Sequence, residues 1–306
     1  MIDCHIHISL DGIDFKKARA LSKIEEIEKI IRKRFKEYKK RGIYVLRDGG
    51  DDLEISCIAR EIAKEEKIIF KSPVKAVYKK GMYGKFLGSP VRDLEDFKNL
   101  FDYLKSKRLD HLKIVLSGLV DFKEYTDCTK IFFNKKELKY MVEMSKYNGI
   151  PVMVHVNSSY GIDMAIECGV DTIEHGYFIK DREIYKMAEK NIIWIPTLSP
   201  LGNLGQGDNK FKDHCNVIDR VYKEHLHSVA LAHEVGVKIA VGSDSGCYNV
   251  RHVQGTFDEM NHLIKSGIKE DDVINMAIEN GIKACNLNSN EIEYLYMNRK
   301  IDNLLK

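Results

Sequence analysis

What the chain lacks narrows its identity before any motif is read. Its seven cysteines, at 4, 57, 128, 168, 215, 247 and 285, contain no C-x-x-C pair. An odd, scattered set in a large chain speaks for reduced thiols and a cytoplasmic location, not a disulfide framework. No apolar leader precedes the first strand, and no run approaches the length of a membrane helix. Charge of one sign is not in excess either. The formal net charge is +3, with Lys and Glu interspersed, which predicts neither a nucleic-acid nor a membrane partner and leaves a small-molecule substrate. Lysine-rich stretches such as 33–41 read as solvated helix faces. Low-complexity segments are absent. What is present is 306 residues, 44% hydrophobic and 31% charged, enough for a full core in one large domain or two small ones.

The apolar pattern alternates between two periods. Short apolar runs at 1–10, 43–46, 68–74, 112–116, 151–156, 170–174, 192–196 and 237–241 read as strands. Between them, apolar residues in steps of three and four mark amphipathic helices, at 15–42, 53–66, 93–107, 135–148, 161–168, 182–190, 213–235, 254–266 and 270–285. Eight strands each followed by a helix, without hairpin signals, predict parallel strands joined by right-handed crossovers. The length suits a (β/α)8 TIM barrel over 1–306. An open doubly wound sheet is the competitor, and no G-x-G-x-x-G follows the first strand to favour it. Glycines 81, 84 and 88, and 202, 205 and 207, predict mobile loops over one end.

Barrels of this kind collect their chemistry at the C-terminal ends of the strands. His5 and His7 share one face of the first strand, because side chains two apart point to the same side, while Cys4, Ile6 and Ile8 point to the other. The same alternation turns Lys113 inward with Val115 and Ser117, opposite Leu112, Ile114 and Leu116. His155 lies in strand five, His175 closes strand six and Asp244 follows strand eight. Each has an ordinary alternative taken alone: a hydrogen-bonded loop histidine, a helix-capping aspartate, a lysine at a frayed strand start. Converging on one end of one barrel, they would make a nitrogen and oxygen site for zinc or a similar ion. A buried ammonium is costly, so Lys113 calls for a carboxylate partner such as Asp244, or for reaction with carbon dioxide to an anionic carbamate.

The segments Ile2-Asp-Cys-His-Ile-His7, Leu112-Lys-Ile-Val-Leu-Ser-Gly118, Val154-His155, Gly169-Val-Asp-Thr-Ile-Glu-His-Gly176, Pro196-Thr-Leu198 and Gly242-Ser-Asp-Ser-Gly246 run through almost the whole chain. In this order they resemble the amidohydrolase superfamily, in the branch of imidazolonepropionase-like proteins and the Xaa-Pro and Xaa-Arg dipeptidases. The resemblance implies two divalent metal ions, zinc first, with iron or manganese as alternatives. His5 and His7 would bind the more buried ion with Asp244, His155 and His175 the second, and carboxylated Lys113 would bridge them. Family members flank the barrel with a small β-sandwich built from both termini; here it is expected to be absent or vestigial. Imidazolonepropionase lacks the bridging lysine, so Lys113 speaks against that activity.

The implied reaction is hydrolysis of an amide or related carbonyl bond in a dipeptide, N-acyl amino acid or cyclic amide, with Asp244 as general base and then general acid. Tyr177 and His252, just beyond strands six and eight, are candidate oxyanion donors, with loop packing as the ordinary alternative. A mononuclear deaminase is the first rival, but Val156-Asn-Ser-Ser159 offers no glutamate shuttle. Lactone or phosphotriester hydrolysis uses the same centre, a non-catalytic metal-binding barrel is the remaining class, and a homo-oligomer is open.

Overall fold

Alternation along β1 (Ile2–Ile6) decides what lies inside. Ile2 and Cys4 pack outward with C-terminal helices, and Ile6 and Ile8 with the helices that follow the strand. In the computed structural model the described residues are 1–20, 23–123, 125, 130–204 and 209–304. The next elements are α1 (Phe15–Arg19) and α2 (Ile24–Lys40). The single helix expected over 15–42 is thus two. The Asp14 carboxylate caps the first by accepting from the Lys17 N–H, and extended backbone at Lys23 precedes the second.

There follow β2 (Val45–Asp48), α3 (Ile55–Glu66), β3 (Ile69–Lys71), β4 (Ala76–Lys79), β5 (Gly88–Val91), α4 (Leu94–Ser106), β6 (Leu112–Val115) and α5 (Lys135–Tyr147). The second half comprises β7 (Val152–Val156), α6 (Ser159–Cys168), β8 (Thr172–His175), α7 (Asp181–Lys190), β9 (Ile193–Ile195), α8 (Ser199–Gly202), α9 (Cys215–Glu234) and β10 (Lys238–Ile239). Helices α10 (Gln254–Lys265), α11 (Glu270–Asn275), α12 (Gly281–Ala284) and α13 (Ser289–Leu304) end the chain. Caps act where the sequence offers them: Asn134 and Glu137 form a capping box on α5, and Gly169, at φ 78°, ends α6.

All ladders among the described residues are parallel, in the orders β1-β2-β3 and β10-β9-β8-β7-β6-β4-β5. Backbone hydrogen bonds join the two sheets at both seams. Cys4 N donates to Val241 O (2.8 Å), His7 N to Ser245 O (2.7 Å) and Asp244 N to His5 O (2.7 Å) at one; Asp110 N donates to Ser72 O (2.8 Å) at the other. The result is a TIM-barrel-like α/β ring whose seams are a few separate bonds instead of continuous ladders. Inside the helical layer, Leu112, Ile114 and Leu116 pack with residues of α4 and α5, such as Phe97 and Met141, as alternation requires.

The strand expected at 68–74 and the loop expected after it are instead β3, β4 and β5. Val74, at φ 65°, breaks the run, so β3 pairs with β2 while β4 pairs with β6 and β5. The glycines there act by packing more than by freedom. A Cβ on Gly88 would lie 1.9 Å from Ala76 O, and one on Gly84 2.7 Å from Tyr78 Cβ, whereas Gly81 has open space around it. Gly202 is likewise packed, against the His262 ring; Gly205 and Gly207 lie outside the described residues. No β-sandwich flanks the ring among the described residues.

Candidate metal centre

Asp3, His5 and His7 point into the barrel from β1 and the residue just beyond it. The Asp3 carboxylate, fully buried, accepts from Ser243 N (2.9 Å), Ser243 Oγ (2.6 Å) and Thr256 Oγ1 (2.6 Å), which ties the segment preceding Asp244 to the floor of β1. Asp244 itself adopts φ 58°, a left-handed conformation that a non-glycine residue holds only when its surroundings fix it. Its Oδ1 then stands 3.2 Å from His7 Nε2 and 3.7 Å from His5 Nε2. Close packing leaves the rings little choice of place: a Cβ on Gly49 would come 2.3 Å from His7 Cε1, and one on Gly242 3.0 Å from His5 Cβ.

Three ligand atoms, one each from His5, His7 and Asp244, lie within 4.8 Å of one another. His5 Nε2, His7 Nδ1 and Asp244 Oδ1 are buried without a hydrogen-bond partner, as is Lys113 Nζ. Burial, aided by the charges of Lys113, His7 and Arg47, holds the His5 imidazole well below its ordinary pKa, so it is neutral with a lone pair to give. Unsatisfied buried donors and acceptors are costly. A divalent cation would satisfy the His5 lone pair and the Asp244 carboxylate together, and the residue set fits one.

His155 and His175 arrive from adjacent strands in register, Val115 opposite His155 and Val156 opposite His175. Their ring centroids are 4.5 Å apart, and His175 is 5.1 Å from His5. Glu174 and His175 are consecutive, so alternation would send one of them outward; φ 66° at His175 turns its ring back inside. The Thr197 hydroxyl, itself on a residue at φ 47°, sits 2.7 Å from His175 Nδ1, which leaves Nε2 toward the site. His155 Nε2 reaches Gly118 O at 3.4 Å. Burial pushes the His155 imidazole down to about 3 and His175 well below its ordinary value, keeping both neutral. These two rings stand beside the three-residue group without joining it.

Lys113 is 1% exposed. Its amine lies within 4.0 Å of no described carboxylate oxygen, so no ion pair with Asp244 forms. Burial pushes it down to about 8, against the pull of Glu174. Tyr177 donates to Thr197 O (3.0 Å) and stacks near His175 (5.8 Å), at the rim of the site. His252 is spoken for: Nδ1 meets the Tyr38 hydroxyl (2.9 Å) and Nε2 meets Leu10 O (2.8 Å). Donation from His252 to a substrate would require breaking that arrangement.

Several residues around the centre carry no local signal in the sequence. Glu174 Oε2 lies 2.6 Å from His5 Nδ1, and Glu174 in turn is held by Arg47 and Thr172. Asp48 accepts from Ile8 N and Gly50 N, both at 2.8 Å, and so fixes the chain on either side of the His7 ring. Tyr83 stacks on His155 at 5.7 Å from the loop between β4 and β5. The available cue is that Thr172 and Glu174 share one face of their strand, with Ile173 on the other.

Comparison with known proteins bears on the fold and the family. The amidohydrolase family model matches residues 1–294. An uncharacterized protein of Mycobacterium tuberculosis and one of Mycobacterium bovis are each 30% identical over 112 residues, 36% of this chain and 30% of theirs, so the match spans under a third of those relatives. Among solved structures, an Xaa-Pro dipeptidase with methionine bound in its active site is 21% identical with a TM-score of 0.77, covering 94% of this chain and 75% of that one. A. niger ochratoxinase is 18% identical with a TM-score of 0.76, covering 93% and 71%. A prolidase complexed with N-methylphosphonate-L-proline is 19% identical with a TM-score of 0.76, covering 94% and 74%. At these identities the likeness is one of fold. The chain belongs to the amidohydrolase family.

Proposed function

We propose, from membership of the amidohydrolase family, that the protein is a metal-dependent hydrolase of a small amide: a dipeptide, an N-acyl amino acid or a cyclic amide. The observation that carries this reading is the convergence of ligand atoms from His5, His7 and Asp244 within 4.8 Å of one another, with His5 Nε2 and Asp244 Oδ1 buried and unpartnered. His5, His7 and Asp244 would hold one ion, His155 and His175 a second, and Lys113 as a carbamate would bridge the two. Divalent ions held there, zinc, iron or manganese, would polarise the scissile carbonyl and bring the pKa of a water toward neutrality.

This chain's own residues supply the rest. Asp244 takes the proton of the attacking water and returns it to the leaving nitrogen, acting as base and then acid. Tyr177, at the rim, turns its hydroxyl from Thr197 O to the developing oxyanion. His252, held between Tyr38 and Leu10, fixes the loop that leaves the site. The bare amine of Lys113 supports the carbamate, since modification replaces a buried cation by an anion among neutral imidazoles.

The test is metal content together with hydrolysis. Purified protein supplied with zinc should hold about two ions per chain and hydrolyse some members of a panel of N-acyl amino acids, dipeptides, cyclic imides and lactones. His5→Ala and His155→Ala should each lose metal while keeping the fold. Absence of metal in protein prepared without chelator overturns the site. Deamination with one ion, or turnover of lactones alone, moves the protein to those rival classes.

A further inference from the structure

We infer that Glu174, oriented by Arg47 and Thr172, is a positioning residue that decides which nitrogen of His5 faces the metal; this rests on the metal-site reading. Glu174 is fully buried. Its Oε1 accepts from Arg47 Nη2 (2.8 Å) and Thr172 Oγ1 (2.6 Å), and its Oε2 lies 2.6 Å from His5 Nδ1. An ionised carboxylate only accepts, so His5 must carry its proton on Nδ1. Nε2 then bears the lone pair, and Nε2 is the buried, unpartnered atom 3.7 Å from Asp244 Oδ1.

Arg47 makes the orientation unambiguous. A guanidinium has donors only, and this one is spent on four fixed acceptors: Nε on Cys4 O (2.7 Å), Nη1 on Ala284 O (3.0 Å) and Thr172 Oγ1 (3.2 Å), Nη2 on Glu174. It cannot turn away, so Glu174 Oε1 must stay an acceptor and Oε2 must face His5. The Thr172 hydroxyl is consistent with both neighbours, accepting from Arg47 and donating to Glu174. The chain of dependence therefore runs from a buried arginine through a carboxylate to a ligand nitrogen, with one protonation pattern throughout.

Glu174→Gln is the decisive variant because glutamine has one acceptor where two are needed. Arg47 and Thr172 claim the carbonyl, the amide NH2 faces His5 Nδ1, and the His5 proton is forced to Nε2. In metal-free protein labelled with nitrogen-15 histidine, the His5 ring should change from the Nδ1–H to the Nε2–H tautomer. Zinc affinity, read by competition with a chelating dye, should fall roughly 10- to 100-fold. Arg47→Met combined with Glu174→Gln frees the amide to present its carbonyl to His5 and its NH2 to Thr172 Oγ1. That double variant should regain the Nδ1–H tautomer and most of the affinity, which a merely structural role would not produce. An Nδ1–H tautomer in Glu174→Gln with zinc affinity within about twofold of the parent overturns the inference, as does a double variant no better than the single. If Glu174→Gln does not fold, Glu174→Asp decides: it keeps the charge beside Arg47 but falls a methylene short of His5, and undiminished zinc affinity there overturns the inference. Parent protein that binds zinc while these tests fail keeps the metal site and removes only the role of Glu174; parent protein that binds none removes both.

Discussion

The two halves of the centre are built in different ways. His5, His7 and Asp244 come together across a seam between chain segments some 240 residues apart, fixed by backbone bonds from Asp244 N to His5 O and from His7 N to Ser245 O. Around this half every neighbouring polar group has a partner: Asp3 holds Ser243, Asp48 holds the backbone beside His7, and Glu174 holds His5. His5 Nε2, His7 Nδ1 and Asp244 Oδ1 have none. Lys113, His155 and His175 instead come from three neighbouring strands in simple register. There the histidines lean on Gly118 and Thr197, and the lysine has nothing. The first half is finished as a group of ligand atoms that could hold a metal ion. The second lacks an anion, and in the proposed function a carbamate on Lys113 would supply it.

Breaking the finished half should have the largest effect. Asp244→Asn should keep much of the metal and lower turnover by roughly 10²–10⁴, the range of general-base loss; steady-state kinetics near the parent value would remove Asp244 from catalysis. Next comes the unfinished half. Lys113→Ala should take metal content from about two ions to about one, with activity falling alongside. A short carboxylic acid in solution should partly restore both, while Lys113→Arg should restore neither, since it keeps a cation and forms no carbamate. Two full equivalents in Lys113→Ala, measured by elemental analysis, would show that no bridge is needed.

Smaller changes sharpen the contrast. Tyr177→Phe should lower turnover roughly 10²-fold as an oxyanion donor would, with metal content unmoved; loss of metal instead would mean that the phenol supports Thr197 and His175. Thr197→Val removes the hydroxyl from His175 Nδ1 and should weaken one ion about tenfold while sparing the other. Equal weakening of both ions in a two-site titration would erase the distinction between the halves.

Much of this was legible along the chain because it depends on local period. Two-residue alternation placed His5 and His7 on one face and turned Lys113 away from Leu112 and Ile114, and β-α alternation gave the parallel ring. The division of 15–42 into α1 and α2, the end of the third strand before Val74, and β4 and β5 in the stretch read as a loop were not legible, because single residues break a period that their neighbours continue. Val74 at φ 65° is such a residue.

The sequence by itself determined which faces are polar and which residues end strands, since those follow from backbone geometry repeated every two or four residues. Only the tertiary structure decided that Asp244 meets His5 and His7, that His175 turns inward beside Glu174, and that Arg47 and Glu174 stand behind His5. Those pairings join segments 40 to 240 residues apart, or rest on a left-handed residue at a strand end. No local periodicity encodes either; the ring must close before the contacts that hold them exist.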